Sequence, residues 1–404
     1  MAVQKVVCRE KIMSIFPTRR KLMSYAAAGC LALGIQTSAR AADDIVIGAS
    51  MPLTGAFGFA GIPINVGFQD YVKIANDAGG IGGRKIKYIS EDTGYAVDKS
   101  IAAFNRITAS EKVNLYYGDS TGFSKTINAE LNRRDNILMA GTSFATELND
   151  TKNFPYQFIP GPDYSQMIGI LLEYIAKTTP GAKIVLVNSD TEFGRDPIAA
   201  TEKRAAELGL KIVGKIATPP TSVDVSTEVL KLRRADPDYT IFHGYVLAPL
   251  PEFMTQMKQL GLKSKFMGTF WSMDNSIWAN SAAVADGYMG VMPYRYYFDT
   301  EGKSPTLDKI RQLRPEYQTI YYTQGFLTAM LMVEAAKRTL DAKKDLTATN
   351  MKTALNSIKD FDTGGIIGVP ISISGNTIPV GRVYQYDGAN KTMKPVSDWI
   401  KIAK

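Results

Sequence analysis

The chain has 404 residues, 45% hydrophobic and 21% charged, with 34 glycines to serve many turns. That composition excludes disorder and a fibre, and leaves apolar material for two cores. The net charge of +8 does not mark a nucleic-acid surface: residues 1–41 hold seven Lys/Arg and one Glu, so +6 belongs to them and +2 to the remainder.

Residues 1–41 read as a signal peptide. Arg19-Arg20-Lys21 precedes an apolar run from Leu22 to Ile35, and Ser38-Ala39-Arg40-Ala41 sets small residues at a cleavage site after Ala41. The run is too short to span a bilayer. Thr18-Arg19-Arg20-Lys21-Leu22 also fits a twin-arginine signal, and Met13 would begin a more conventional leader. Ala27-Ala28-Gly29-Cys30 loosely matches a lipoprotein box, against which Leu31 and the site downstream both argue. Cys8 and Cys30 leave with this segment, so no disulfide or thiolate chemistry is expected in the exported, periplasmic chain.

From residue 44 the chain alternates short strands with amphipathic stretches. Ile45-Val46-Ile47-Gly48 is a continuous apolar run, the pattern of a strand buried on both faces. Ile64, Phe68, Tyr71, Val72 and Ala75 recur at helical spacing until Gly79-Gly80-Ile81-Gly82-Gly83 stops them. Strands at 85–90, 113–117 and 137–140 follow, with helices over 98–111 and from Phe123. This β-α series predicts a doubly wound sheet. After Ile159-Pro160-Gly161-Pro162 the grammar restarts, with strands at 183–188, 211–217, 239–243 and 265–268. A helix over 225–235 ends in Ala235-Asp236-Pro237-Asp238. The last third is less regular: a strand over 287–292, helices over 319–340 and 348–358, and hairpin-like runs over 366–388.

Chemistry-bearing motifs are sparse. Gly118-Asp119-Ser120-Thr121-Gly122 has the spacing of a nucleophile elbow between strand and helix. Its only available base is the single histidine, His243, in the other α/β unit, and no oxyanion-hole glycine run accompanies it. Glu91-Asp92 reads as a solvated loop end. Clustered soft metal ligands, a dinucleotide fingerprint and a P-loop are all missing. The expectation is a chain that is not an enzyme, with no cofactor and no metal.

Five motifs in register resemble the branched-chain amino-acid type of periplasmic binding proteins: Met51-Pro52-Leu53-Thr54-Gly55, the run from Asn76 to Gly83, Gly118–Gly122, residues 142–148, and Phe266-Met267-Gly268. The resemblance implies a type I fold of two doubly wound α/β lobes, 42–160 plus 294–367 and 161–293 plus 368–404. Three crossings near 160, 293 and 367 would join them, with a ligand held between. It also implies a monomer that delivers its ligand to the membrane permease of an ABC transporter, with no nucleic-acid partner. A ligand-sensing module would share these features.

Loops leaving the carboxyl ends of such strands collect ligands, and those at 119–122 and 141–145 offer backbone N–H groups and small hydroxyls. Carried over from the family, Ser120, Thr121, Thr142, Ser143 and Phe144 form a carboxylate-binding set. Read alone, Ser120, Thr121 and Thr142 serve equally as caps of helices or turns. In the amino-acid branch an acid after Phe-Met-Gly meets the ligand's ammonium. Here Phe270 stands in that place, with Trp271 beside it. Without an acid, a buried ammonium goes unpaired at high cost. The ligand is therefore expected to be a small carboxylate lacking an amine, of the benzoate or hydroxycinnamate kind. Amides or urea, short aliphatic acids and branched-chain amino acids are the alternatives. Phe57, Phe59, Phe193, Tyr245 and Tyr321 fall on cleft-facing loops of the alignment, Phe59 and Tyr321 suiting a core equally well. His243 and Tyr245 are placed to hydrogen-bond a second polar end, though a histidine in His243's position is more often a satisfied strand-end residue.

Overall fold

The structure, a computed structural model, describes residues 43–275 and 281–402. The signal-peptide reading of residues 1–41, with both cysteines, lies outside the described residues. None of the described helices is long and apolar enough to cross a membrane.

Two parallel sheets carry the fold. In the first, β1 (Ile45–Met51) lies between β2 (Ile86–Asp92) and β3 (Val113–Gly118), followed by β4 (Leu138–Gly141) and β5 (Gln157–Phe158). Every residue of β1 and β3 is buried, which is why Ile45-Val46-Ile47-Gly48 in β1 reads as an unbroken apolar run. The crossovers α1 (Gly58–Asp77) and α2 (Val97–Ser110) cover this sheet, α2 burying Phe104 and Ile107 as their spacing predicts. The second sheet repeats the order: β6 (Lys183–Ser189) lies between β7 (Lys211–Thr218) and β8 (Tyr239–His243), then come β9 (Lys265–Gly268) and β10 (Met289–Met292). Antiparallel β11 (Val380–Asp387) and β12 (Thr392–Pro395) extend its edge, and β13 (Ile400–Lys401) pairs with β11. The doubly wound α/β class expected from the alternation is what the chain adopts.

The irregular last third is shared between the sheets. The helix Ile320–Asp341 packs along α1, and Ala348–Asn356 packs on it and on β4. The first crossing is as close as backbones allow. A Cβ on Gly325 would sit 2.1 Å from the Ile64 carbonyl oxygen, and one on Gly67 2.2 Å from that of Tyr322. Gly325→Ala is thus expected to cost about 3 kcal/mol, the upper range for overpacking a core. Urea unfolding measures it, and a loss below about 0.5 kcal/mol would show that the helices separate freely.

Between the sheets three stretches of chain run side by side. Ile159 N donates to Asn376 O at 2.6 Å, Ile378 N to Gly161 O at 3.0 Å, and Tyr294 Oη to Pro160 O at 2.9 Å. The third of these stretches is 376–378; before it, Phe361 and Ile371 bridge to each other, and Ile373 N bonds to Ile358 O, holding that segment beside the helix Ala348–Asn356. Of the hairpins expected over 366–388, only the turn joining β11 to β12 forms a ladder; the earlier residues make isolated bridges. The helix expected from Phe123 is two short ones, α3 (Thr121–Thr126) and Asn128–Arg134.

Candidate functional site

Strands β3 and β4 end in register, Gly118 opposite Gly141, so the loops that follow them lie together at the carboxyl end of the first sheet. Ser120 is extended, and its Oγ accepts from Phe123 N at 3.2 Å, capping α3. Thr142 N donates to Gly118 O at 2.8 Å, and its hydroxyl to Tyr117 Oη at 3.0 Å. Thr121 Oγ1 and Ser143 Oγ lie 2.7 Å apart, and Ser143 Oγ accepts from Ala145 N at 3.1 Å. Four hydroxyls thus meet on one wall, Ser120 and Ser143 at the same time bonding nearby backbone amides. Asp119, next to Ser120 in the chain, takes hydrogen bonds from Ser100 (2.6 Å) and Thr93. Burial raises its pKa, opposed by those bonds.

The other walls are rings. Phe57 follows β1 and Tyr95 follows β2, stacked at 4.4 Å. From the second sheet's carboxyl end come Phe193 after β6 and Tyr245 after β8, stacked at 5.0 Å, and Trp271 after β9. Tyr164 opens the helix Tyr164–Thr178 and accepts from Trp271 Nε1 at 2.9 Å. These six rings and the hydroxyls of Ser120, Thr121, Thr142 and Ser143 enclose one cavity between the two sheets. Among the described residues, no acidic or basic side chain lines it. The space left among them is about 10 Å³, roughly one water-sized sphere. A larger groove of about 430 Å³, bounded by Met254, Lys258, Phe266 and Asp286, opens at the amino ends of β9 and β10, opposite the end where open α/β sheets bind ligands.

Of the thirteen residues singled out from the sequence, eight line this cavity: Phe57, Ser120, Thr121, Thr142, Ser143, Phe193, Tyr245 and Trp271. Phe59 packs behind it, between Phe57 (5.2 Å) and Tyr321 (5.5 Å). Four others do not line it either. Phe270, expected to stand in place of the acid, points away into a second layer, where it meets Phe144 (5.1 Å), Tyr294 (5.9 Å) and Tyr321 (5.6 Å). Phe144 and Tyr321 are fully buried in that layer too, and Tyr321 stacks behind Trp271 at 5.5 Å. The short 3-10 turn Phe270–Ser272 explains the swap: successive residues point in different directions, so only Trp271 of the pair reaches the cavity.

His243 is the fourth. Its Nε2 lies 3.1 Å from the Phe193 carbonyl, which can only accept, so Nε2 carries the proton and Nδ1 accepts from Thr269 Oγ1 at 2.8 Å. Both ring nitrogens are thereby bonded within the protein. Burial lowers its pKa to about 3. An unfolded histidine titrates near 6.5, so below that pH the unfolded chain gains a proton that the folded chain refuses. Between pH 6.5 and 4.5 the protein is expected to lose about 2–3 kcal/mol more stability than His243→Gln does. Parallel stability curves for the two would contradict this.

Tyr95 and Tyr164 are the lining residues that the sequence reading missed. Tyr164 begins a helix whose capping box, Asp163 with Gln166, was present in the sequence as the N-terminal signal. Tyr95 sits in a turn with φ of 66°, an unusual conformation for tyrosine that no local pattern announces.

Residues 44–390 match the family model described as periplasmic binding protein. The chain belongs to that family. This periplasmic binding protein is 24% identical to the leucine-specific-binding protein of Salmonella typhimurium, over 86% of its own length and 94% of the relative's. A branched-chain amino acid ABC transporter protein of Thermus thermophilus, solved with bound valine, superposes with a TM-score of 0.78 at 23% identity, covering 89% of this chain and 97% of that one. A fatty acid ABC transporter substrate-binding protein from Thermomonospora curvata superposes with a TM-score of 0.76 at 17% identity, covering 89% and 93%. The periplasmic binding protein thus has the type I fold of such chains.

Proposed function

We propose that this periplasmic binding protein is the solute-binding component of an ABC uptake transporter, and that its cleft takes a small carboxylate without an amine, an aromatic acid of the benzoate or hydroxycinnamate kind. One observation carries the ligand class: four hydroxyls and six rings surround the cavity, and no carboxylate stands among them to meet an ammonium group. Hydroxyls and loop N–H groups suit a carboxylate, and flat rings suit a flat apolar body. An aromatic acid exceeds the 10 Å³ between the rings, so it enters by the two lobes parting about the three strands of chain near 160, 294 and 377. Closure then follows from contacts to both lobes. The closed form would be what the permease recognises. On this reading the ligand contacts are the eight residues named from the sequence that line the cavity: Phe57, Ser120, Thr121, Thr142, Ser143, Phe193, Tyr245 and Trp271.

A second reading has its own support: the relatives' names refer to leucine and valine. The two separate in a thermal-shift panel of aromatic acids, aliphatic amino acids, short aliphatic acids and amides. At a concentration a hundred times its Kd, a ligand stabilises by about 2.7 kcal/mol, a rise of several degrees for a chain of this size. Benzoate or a hydroxycinnamate is expected to produce it and leucine is not. A rise with leucine alone would return the chain to the amino-acid branch. Neighbouring genes for a permease and an ATPase would separate uptake from sensing.

A further inference from the structure

The mouth of the cleft carries contacts that no ligand residue makes. Lys125 lies on α3, after β3, and Thr146 and Glu147 follow β4, all at the first sheet. Glu192 and Asp196 follow β6, at the second. Across the gap, the Asp196 carboxylate accepts from Thr146 N, at 3.2 Å to Oδ1 and 3.0 Å to Oδ2, and from Thr146 Oγ1 at 2.6 Å. Ser165, at the start of the helix Tyr164–Thr178, adds a hydroxyl 2.7 Å from Thr146 Oγ1. Lys125 Nζ reaches Glu147 at 2.5 Å on its own side and Glu192 on the other.

We propose that Asp196 and Lys125 form a latch that holds the two lobes together across the cleft and sets the closed fraction without touching the ligand. The inference rests on the two-lobe closure reading above. Geometry gives the latch its leverage: Phe193, whose ring lines the cavity, lies in the chain between Glu192 and Asp196, so fixing both ends fixes the ring over the cleft. The two halves are unequal. Asp196 is half-buried and takes a backbone N–H and a hydroxyl, charge-assisted bonds of the stronger kind. The Lys125–Glu192 pair is largely solvated, the Glu192 side chain being 62% exposed, and exposed pairs contribute little. Asp196 is therefore the dominant positioning residue and Lys125 the lesser one.

The test needs no ligand. In the full chain, with Cys8 and Cys30 changed to serine, spin labels go on Asp98→Cys and Thr227→Cys, exposed positions on helices flanking the outer strand of each sheet. Electron–electron distance measurements then report the separation of the lobes. Asp196→Ala is expected to lower the ratio of closed to open distances about tenfold, as one charge-assisted hydrogen bond does. Lys125→Met is expected to lower it about threefold or less. If Asp196→Ala does not fold, Asp196→Asn decides, because it keeps the volume, loses the charge and must shift the distribution the same way. Distances that superimpose on the parent in a folded, cooperatively melting Asp196 variant overturn the latch. Because no ligand is added, a chain that proves to bind leucine leaves this result standing, and a failed latch leaves the ligand class untouched.

Discussion

Phe270→Ala is expected to cost about 4 kcal/mol of folding stability, because the fully buried ring is held on four sides by other rings and its removal leaves a cavity they cannot refill. Phe144, Trp271, Tyr294 and Tyr321 all lie within 6 Å of it, centroid to centroid. These partners come from both sides of the cleft: Phe144 and Tyr321 from the first sheet and its covering helix, Trp271 from the second sheet. The residue is therefore the packing floor beneath the cavity. Denaturant unfolding should show the midpoint shift, while ligand affinity falls by less than about tenfold, through loss of support to Trp271 alone. A stable Phe270→Ala chain with abolished binding would mean that Phe270 reaches the ligand. By the same logic, Phe270→Glu buries an unpaired charge in this layer and unfolds the protein, so it cannot restore an amino-acid site.

Trp271→Ala is expected to weaken binding of an aromatic acid by about thirtyfold to a thousandfold. Large buried rings at the centre of a site account for most of its binding energy, about 2–4 kcal/mol on truncation. Trp271 meets Phe57 edge-on at 5.2 Å and donates its indole N–H to Tyr164, so it ties rings of both lobes to one surface. Its removal also strips the Tyr164 hydroxyl of its donor. Trp271→Phe keeps a face for stacking and should recover most of the affinity, while Trp271→Ala does not. Equal affinities for the parent and Trp271→Ala, measured calorimetrically, would remove the indole from the site.

The strands were legible because parallel strands buried on both faces leave mostly apolar runs, as in β1, β6 and β8, where every residue but Lys183 is buried. The hydroxyl wall was legible for a related reason: a loop at the carboxyl end of a strand has few places to go, so Ser120 and Thr142 had to come together once β3 and β4 were neighbours. What a one-dimensional pattern does not record is which way a side chain points in a short turn. Phe270 and Trp271 are adjacent and chemically alike, yet the 3-10 turn sends one to the cavity and the other to the layer behind. His243 ends a strand, but its two hydrogen bonds depend on residues 26 and 50 positions away. The bridge of Phe361 to Ile371 was illegible for the same reason: it is a pairing of loops, with neither helical nor strand periodicity to announce it.

The central claim is that a cleft without an acid selects ligands without an amine. Isothermal titration of the chain with 4-hydroxybenzoate and with leucine, at one pH and salt concentration, tests it most directly. The account predicts one-to-one binding of the aromatic acid and no heat with leucine. Tight one-to-one binding of leucine and none of the aromatic acid would contradict it.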